Sequence, residues 1–283
     1  QTASLDPIDT LYGAGGSSRG RNPGRPLNED AYVVGGKIEY TSDAGVRTVE
    51  DIPAVTPQAI TTYGELAIVA DGMGGHAAGE VASRIATQTL VTKFYDPTFE
   101  PALTVVNGNI MDRLRLAVEA ANQAVFDYKK RSGNDLGTTL VATVKFGNKA
   151  VVVGIGDSRV YKIKRDGSLE QVTTDHSLVQ RLVETKQITP EEARHHPQKN
   201  VVYKVFGEAG SVVNTQTDIH VIDLLLGERL LLATDGLSGM LDDNQMAQVI
   251  YTESIDKTAI QKLLAAANAA GGDDNSTAVL TGQ

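Results

Sequence analysis

Hydrophobic and polar positions sort into two recurring patterns along the chain. Short β-branched apolar runs at Glu65–Ala70, Thr138–Phe146, Lys149–Ile155, Arg159–Ile163, Glu228–Thr234 and Ser276–Thr281 are bounded by Gly, Asp or Asn. Such runs predict strands, because branched side chains suit a pleated surface and the bounding residues suit turns. Ile110, Leu114, Ala117, Ala121, Val125 and Tyr128 recur at intervals of 4, 3, 4, 4 and 3, which is one apolar stripe of a helix. Ala77–Phe94 and Asp256–Ala270 predict two further helices, the second stopped by Gly271-Gly272. Helices fall in two groups, Ala77–Arg131 and the C-terminal third, with strands before, between and after them. That segregation favours an α+β layered fold over a regular βαβ alternation.

Two stretches break the patterns. Gly35–Gly64 is polar, carries Pro53 and Pro57, and holds strand-like pieces at Lys37–Thr41 and Val46–Val49. An extended loop or partly ordered hairpin is expected there. Thr173–Gly210 follows Asp175-His176-Ser177 with a short helical pattern, then His195-His196-Pro197, and ends glycine-rich. It is expected to leave the main sheet as an excursion. No internal repeat, low-complexity tract or linker divides the sequence, so residues 1–283 are expected to form one domain.

Composition narrows the classes. The 283 residues carry 26 Lys and Arg against 35 Asp and Glu, a formal charge of −9. With 41% hydrophobic and 22% charged residues the chain has an ordinary globular composition. The acidic balance disfavours a nucleic-acid partner, which would require a basic face. No apolar run approaches the ~18–20 residues that span a bilayer, and no signal-peptide pattern opens the chain. It begins at Gln1 instead of Met, which leaves room for a segment upstream. Cysteine is absent, which excludes disulfides, thiolate metal sites and cysteine nucleophiles, and fits a cytoplasmic location.

The chemistry concentrates in four short segments. Asn28-Glu29-Asp30 leads into the strand-like Ala31–Val34. Ile68-Val69-Ala70-Asp71-Gly72-Met73-Gly74-Gly75-His76 and Leu230-Leu231-Leu232-Ala233-Thr234-Asp235-Gly236 each end an apolar strand on Asp-Gly. Gly272-Asp273-Asp274-Asn275-Ser276 precedes the last strand. A single Asp-Gly is usually a turn. Several strand-end carboxylates converging would repel each other unless a cation neutralised them, and oxygen-only ligands select hard cations such as Mg²⁺, Mn²⁺ or Ca²⁺. Other motifs carry little. Gly13-Ala14-Gly15-Gly16 lacks the Lys-Ser/Thr of a phosphate loop, the five histidines lack zinc-peptidase spacing, and no Gly-x-Ser-x-Gly elbow occurs.

Together the segments resemble the metal-dependent Ser/Thr protein phosphatases, the protein phosphatase 2C-like family, and in particular its bacterial single-domain members. The series runs Arg25-x-x-Asn28-Glu29-Asp30, Val69–His76, Gly137-Thr138-Thr139, Val153–Tyr161, Thr174–Ser177, Ala233–Leu237 and Gly272–Thr277, in family order across about residues 25–280. The resemblance implies a β-sandwich of two antiparallel sheets flanked by α-helical layers, with metals at one end. It implies that Asp71 bridges two Mn²⁺ or Mg²⁺ ions, that the Gly72 carbonyl binds one of them, and that Asp235 and Asp274 hold the other. Glu29 and Asp30 would act mainly through metal-bound water. A third, weaker metal is implied at Asp135, two residues before Gly137, with Asp235 shared. Arg25 matches the phosphate-binding arginine, an assignment that rests on spacing because Arg19 and Arg21 lie close by. A flap is implied at about residues 178–210.

The expected reaction is hydrolysis of phosphoserine and phosphothreonine monoesters by direct in-line attack of a metal-bridging water. Such esters hydrolyse extremely slowly unaided, and two cations both clamp the phosphate and acidify water. His76, five residues after Asp71, is a candidate proton donor to the leaving oxygen, or else a helix-start residue bonded to backbone. Asp157-Ser158-Arg159 is expected to be a turn held by its own ion pair, and Asp175-His176-Ser177 a helix cap leading into Leu178, or else a segment that faces substrate. The expected partners are phosphorylated proteins made by a Ser/Thr kinase, with no nucleic acid and no membrane segment, and the chain is expected to be a monomer. The alternative is a pseudophosphatase or regulatory module that binds phosphoproteins without turnover.

Overall fold

A computed structural model describes residues 7–42, 44–74 and 78–282. Its strands are β1 (Ile8–Thr10), β2 (Gly13–Ser18), β3 (Asp30–Val34), β4 (Lys37–Thr41), β5 (Arg47–Asp51), β6 (Glu65–Gly74) and β7 (Leu136–Thr138). They continue with β8 (Leu140–Phe146), β9 (Lys149–Ile155), β10 (Arg159–Ile163), β11 (Leu169–Gln171), β12 (Ile219–Asp223), β13 (Arg229–Ala233) and β14 (Ser276–Thr281). The helices are α1 (Pro57–Tyr63), α2 (Gly79–Tyr95), α3 (Ile110–Ser132), α4 (Leu178–Glu184), α5 (Pro190–Arg194), α6 (Asp235–Ser238), α7 (Asp243–Thr252) and α8 (Asp256–Ala269).

The strands form two antiparallel sheets. One runs β1-β2-β14-β13-β10-β11 and the other β12-β9-β8-β6-β3-β4-β5, with β7 paired to β6. Period-two alternation explains why the central strands are apolar throughout. Leu230 and Leu232 of β13 enter the same cluster as Val69 and Val141, between the sheets. Leu231 and Ala233, on the opposite face, pack with Ile260 and Leu263 of α8. In the second sheet Ala67 and Val69 face inward, while Leu66 and Ile68 meet Leu90, Phe94 and Leu114 of α2 and α3. A strand buried on both faces has no solvent side to mark with polar residues. The result is a four-layer α+β sandwich, helices outside and sheets within.

Several sequence expectations change in detail. The strand expected to stop at Ala70 runs on to Gly74, so Asp71 lies within β6. The run from Thr138 to Phe146 splits at Thr139 into β7 and β8. The helix expected from Ala77 begins at Gly79 among the described residues. Gly35–Gly64 holds the expected hairpin, β4 with β5, and also α1, which the pattern missed. Thr56 caps α1 by accepting from the Ala59 N–H, and Pro57 opens it. The Gly13–Gly16 run, weighed above only as a phosphate loop, is part of the buried strand β2. A Cβ on Gly15 would sit 2.5 Å from the Tyr32 ring, and one on Gly16 would sit 2.8 Å from Ile260. Glycine is there because neighbouring side chains fill the space.

Candidate active site

The site forms where strand ends of both sheets meet. Antiparallel register places Asp30, the first residue of β3, directly opposite Asp71 of β6. Asp235 follows β13 as the first residue of α6, and Asp274 precedes β14, the neighbour of β13. Backbone and hydroxyl bonds fix these segments. The Thr138 hydroxyl donates to the Asp71 carbonyl at 2.8 Å, and the Asp71 N–H donates to Thr139 Oγ1 at 3.1 Å. This gives Gly137-Thr138-Thr139 its local role. Asn275 accepts from the Glu29 N–H at 2.8 Å and donates to the Arg19 carbonyl at 2.9 Å. The glycines after the two aspartates permit close approach. A Cβ on Gly72 would meet the Gly79 carbonyl oxygen at 2.1 Å, and one on Gly236 would meet that of Asn275 at 1.8 Å.

Glu29, Asp71, Gly72, Asp235, Asp274 and Arg25 all line one cleft of ≈ 680 Å³. Asp30 lies beneath it, fully buried, with Oδ2 accepting from Thr277 at 2.6 Å and Thr234 at 3.1 Å. Asp30 Oδ1 and Asp235 Oδ1 are buried without a hydrogen-bond partner. Burial, reinforced by Asp30, Asp235, Asp274 and Asp157, raises the Asp71 carboxyl well above the ordinary range. Burial and then Asp235 push Asp274 up to about 7 against the pull of Arg25. Glu29 is likewise pushed up to about 7, by burial first and then by Glu80 and Asp274, although Arg25 opposes the shift. Asp30 rises to about 6, from burial and from Asp235.

Crowded carboxylates with orphaned oxygens, and among the described residues of the cleft no imidazole, fit a hard divalent cation. Among the described residues no three Asp, Glu or His side chains are yet drawn together as a finished ion-binding group. The Arg25 guanidinium takes part of the negative charge instead. It lies 2.7 Å from Asp274 Oδ2 and 3.7 Å from Glu29 Oε2. Of the three neighbouring arginines, Arg25 lines the cleft, whereas Arg19 donates to the Arg25 carbonyl at 2.7 Å.

One described site residue stands apart from the expectation. The Asp135 side chain is 97% exposed and pairs with Lys129 at 2.9 Å, so its carboxylate faces away from the cluster. His76 lies outside the described residues. One residue was missed. The expected ion pair within Asp157-Ser158-Arg159 does not form as read, because Arg159 forks onto Asp175 with contacts of 2.7 and 3.0 Å. Asp157 instead lines the cleft, its carboxyl raised well above the ordinary range by burial and then by Asp235. The signal was present in the sequence, since Asp157 follows the apolar strand β9 by two residues just as Asp235 follows β13.

A second hollow of ≈ 700 Å³ continues from the cleft beneath α4 and α5. Val179, Val183, Pro190 and Lys199 line it on the side of α4 and α5. Ser177 caps α4 as expected, accepting from the Gln180 N–H. Arg194 fastens α5 to the Leu241 carbonyl at 3.1 Å.

A family model described as Protein phosphatase 2C matches residues 58–268. The serine/threonine phosphatase stp of Listeria monocytogenes is 35% identical over 217 residues, covering 76% of this chain and 83% of that protein. The crystal structure of serine/threonine phosphatase Stp1 from Staphylococcus aureus aligns with a TM-score of 0.76 at 28% identity, over 100% of this chain and 99% of the other. The catalytic domain of PstP, a serine/threonine protein phosphatase solved in complex with two manganese ions, aligns with a TM-score of 0.72 at 30% identity, over 96% and 98% of the two chains. With its sandwich, its acidic cleft and these matches, the chain belongs to the protein phosphatase 2C family.

Proposed function

We propose that this chain is a protein serine/threonine phosphatase, a single catalytic domain that hydrolyses phosphoserine and phosphothreonine monoesters with Mn²⁺ or Mg²⁺. The convergence of Asp30, Asp71, Asp157, Asp235 and Asp274 on one cleft end of the sandwich, two of them with unpartnered buried oxygens, carries the reading. Asp71, the Gly72 carbonyl, Asp235 and Asp274 would hold the main pair of cations, with Glu29 and Asp30 behind them; Asp135 would serve a third position only by leaving its pair with Lys129 and turning toward the cleft. When bound, the pair neutralises phosphoryl charge and lowers the pKa of water. Arg25 stands at the rim with 37% of its side chain exposed, where its planar fork suits two non-bridging phosphate oxygens. The hollow under the flap suits residues flanking the phosphorylated side chain.

No described helix is long and apolar enough to cross a membrane. The reading takes the chain as a monomer acting on cytoplasmic targets of a Ser/Thr kinase, and the absence of cysteine suits a reducing compartment. Retention of Asp71, Asp235, Asp274 and Arg25 in one cleft weighs against a binding-only pseudophosphatase. Hydrolysis of p-nitrophenyl phosphate and of a phosphothreonine peptide with Mn²⁺, abolished by EDTA, is expected. Binding of the peptide without turnover under Mn²⁺ would establish the pseudophosphatase instead.

A further inference from the structure

His176 belongs to a motif that helix capping does not exhaust. Ser177 caps α4, yet the His176 ring beside it is buried, 9% exposed, where three segments meet. Its Nδ1 accepts from the Gly156 N–H at 3.1 Å, and a backbone amide can only donate. The ring proton therefore sits on Nε2, 3.1 Å from Asp218 Oδ1, and is donated to that carboxylate. The Asp218 side chain has no exposed surface. Its oxygens also accept from Lys204, from Thr217 at 2.9 Å and from the Asn214 N–H at 2.6 Å.

The His176 backbone makes two more links. Its N–H donates to the Gly156 carbonyl at 2.8 Å, and its carbonyl accepts from Tyr203 in the flap at 2.9 Å. The Tyr203 ring meets the imidazole edge-on at 5.8 Å. Gly156 has a φ of +101°, and a Cβ there would lie 2.6 Å from Thr139 Cγ2, so this residue must stay without a side chain and take its position from its partners. The next residue is Asp157, whose carboxylate lines the acidic cleft.

We propose that Asp218 and His176 form a positioning pair, with Asp218 fixing the imidazole tautomer that holds the Gly156 peptide and His176 tying the flap at Tyr203 to it. One geometry is thereby imposed on Asp157 and on the flap side of the cleft. The effect on turnover rests on the cleft being the phosphatase site, whereas the tautomer does not.

Two substitutions separate the ring's contacts. His176→Asn sets an amide oxygen near the Nδ1 position and keeps an acceptor for Gly156. His176→Gln sets an amide nitrogen near the Nε2 position, keeping the donor to Asp218 and losing that acceptor. In the metal-free wild type, ¹⁵N spectra of the ring are expected to show a bare Nδ1 and a protonated Nε2. His176→Asn should hold kcat on p-nitrophenyl phosphate within about threefold, while folded His176→Gln should lose about 10–100-fold in kcat with KM little changed. A proton on Nδ1 overturns the inference. So does a pattern in which Asn, Gln and Ala variants lose thermal stability while keeping wild-type kcat per folded molecule. Failure of the wild type itself to turn over would strike only the phosphatase reading, since the ring is read without substrate.

Discussion

Asp71 is the residue whose surroundings say most. Burial raises its carboxyl first, and the nearby carboxylates Asp30, Asp235, Asp274 and Asp157 push it the same way. Asp71→Asn, Asp235→Asn and Asp274→Asn should each lower Mn²⁺-dependent turnover at least about 100-fold, since even residues behind metal ligands cost 10–100-fold. Retention of wild-type rates by all three would remove them from the site. The sign of the stability effect is opposite. A raised carboxyl pKa favours the folded state below the unfolded value of about 4 and withdraws that support as pH rises through the folded value. Metal-free Asp71→Asn should therefore match wild type near pH 4 and exceed it at pH 7.5 by on the order of 1 kcal/mol, read from urea midpoints. Arg25→Ala should raise KM for a small ester about tenfold while kcat changes less, as expected for a group that grips phosphate in ground and transition states alike. A larger KM change in Arg19→Ala or Arg21→Ala would transfer the contact. Asp135→Ala removes an exposed pair with Lys129 and should shift stability by less than about 1 kcal/mol. Calorimetry should still count two metals, and the proposed third position predicts lost turnover, with a wild-type rate rejecting it.

At the scale of elements, the helical layer on the second sheet depends on one buried cation. Arg113 of α3 is fully buried and donates to the carbonyls of Phe94, Asp96, Phe99 and Glu100 at 2.5–2.8 Å. Its guanidinium lies 4.0 Å from the Tyr63 ring centroid. It closes the C-terminal end of α2, where carbonyls have no helical partner. Arg113→Ala should cost about 3 kcal/mol or more, because several buried acceptors lose a charged donor together. Chemical denaturation tests this, and turnover per folded molecule should stay unchanged because Arg113 meets the C-terminal end of α2, whereas the N-terminal end at Gly79 is the one beside the cleft. The α3 stripe was legible in sequence, since Ile110, Leu114, Ala117, Ala121 and Val125 are all buried. The capping role of Arg113 was not, because its acceptors lie 13 to 19 residues away.

For the whole molecule, one end of the sandwich is where both sheets deliver carboxylates, and residues of the α4–α5 stretch supply a wall. The cleft and the hollow beneath α4 and α5 share Arg25, Asp157, Asp235 and Asp274, so a peptide can lie along the flap while its phosphate meets the acidic end. Lys199→Glu should change preference between acidic and basic phosphopeptides about tenfold in kcat/KM through reversed charge at the wall. Turnover of p-nitrophenyl phosphate should stay within about twofold, since a small ester does not reach a wall set apart from the chemistry. Equal loss on the ester and both peptides would mean that Lys199 supports the reaction itself.

What the sequence determined by itself was local: the strands buried on both faces, the α3 stripe, the Ser177 cap, and aspartates at strand ends followed by glycine. Periodicity and turn chemistry act over a few residues, so they are written where they act. The family motifs then named the carboxylates. Tertiary structure alone decided which acids meet. Antiparallel register set Asp30 against Asp71, the fork from Arg159 to Asp175 left Asp157 facing the cleft, and Lys129 drew Asp135 away from it. The strand at Gly13–Ser18 stayed hidden for the same reason. Its glycines answer to Tyr32 and Ile260, and the space a distant side chain occupies leaves no periodic trace in the segment that yields to it.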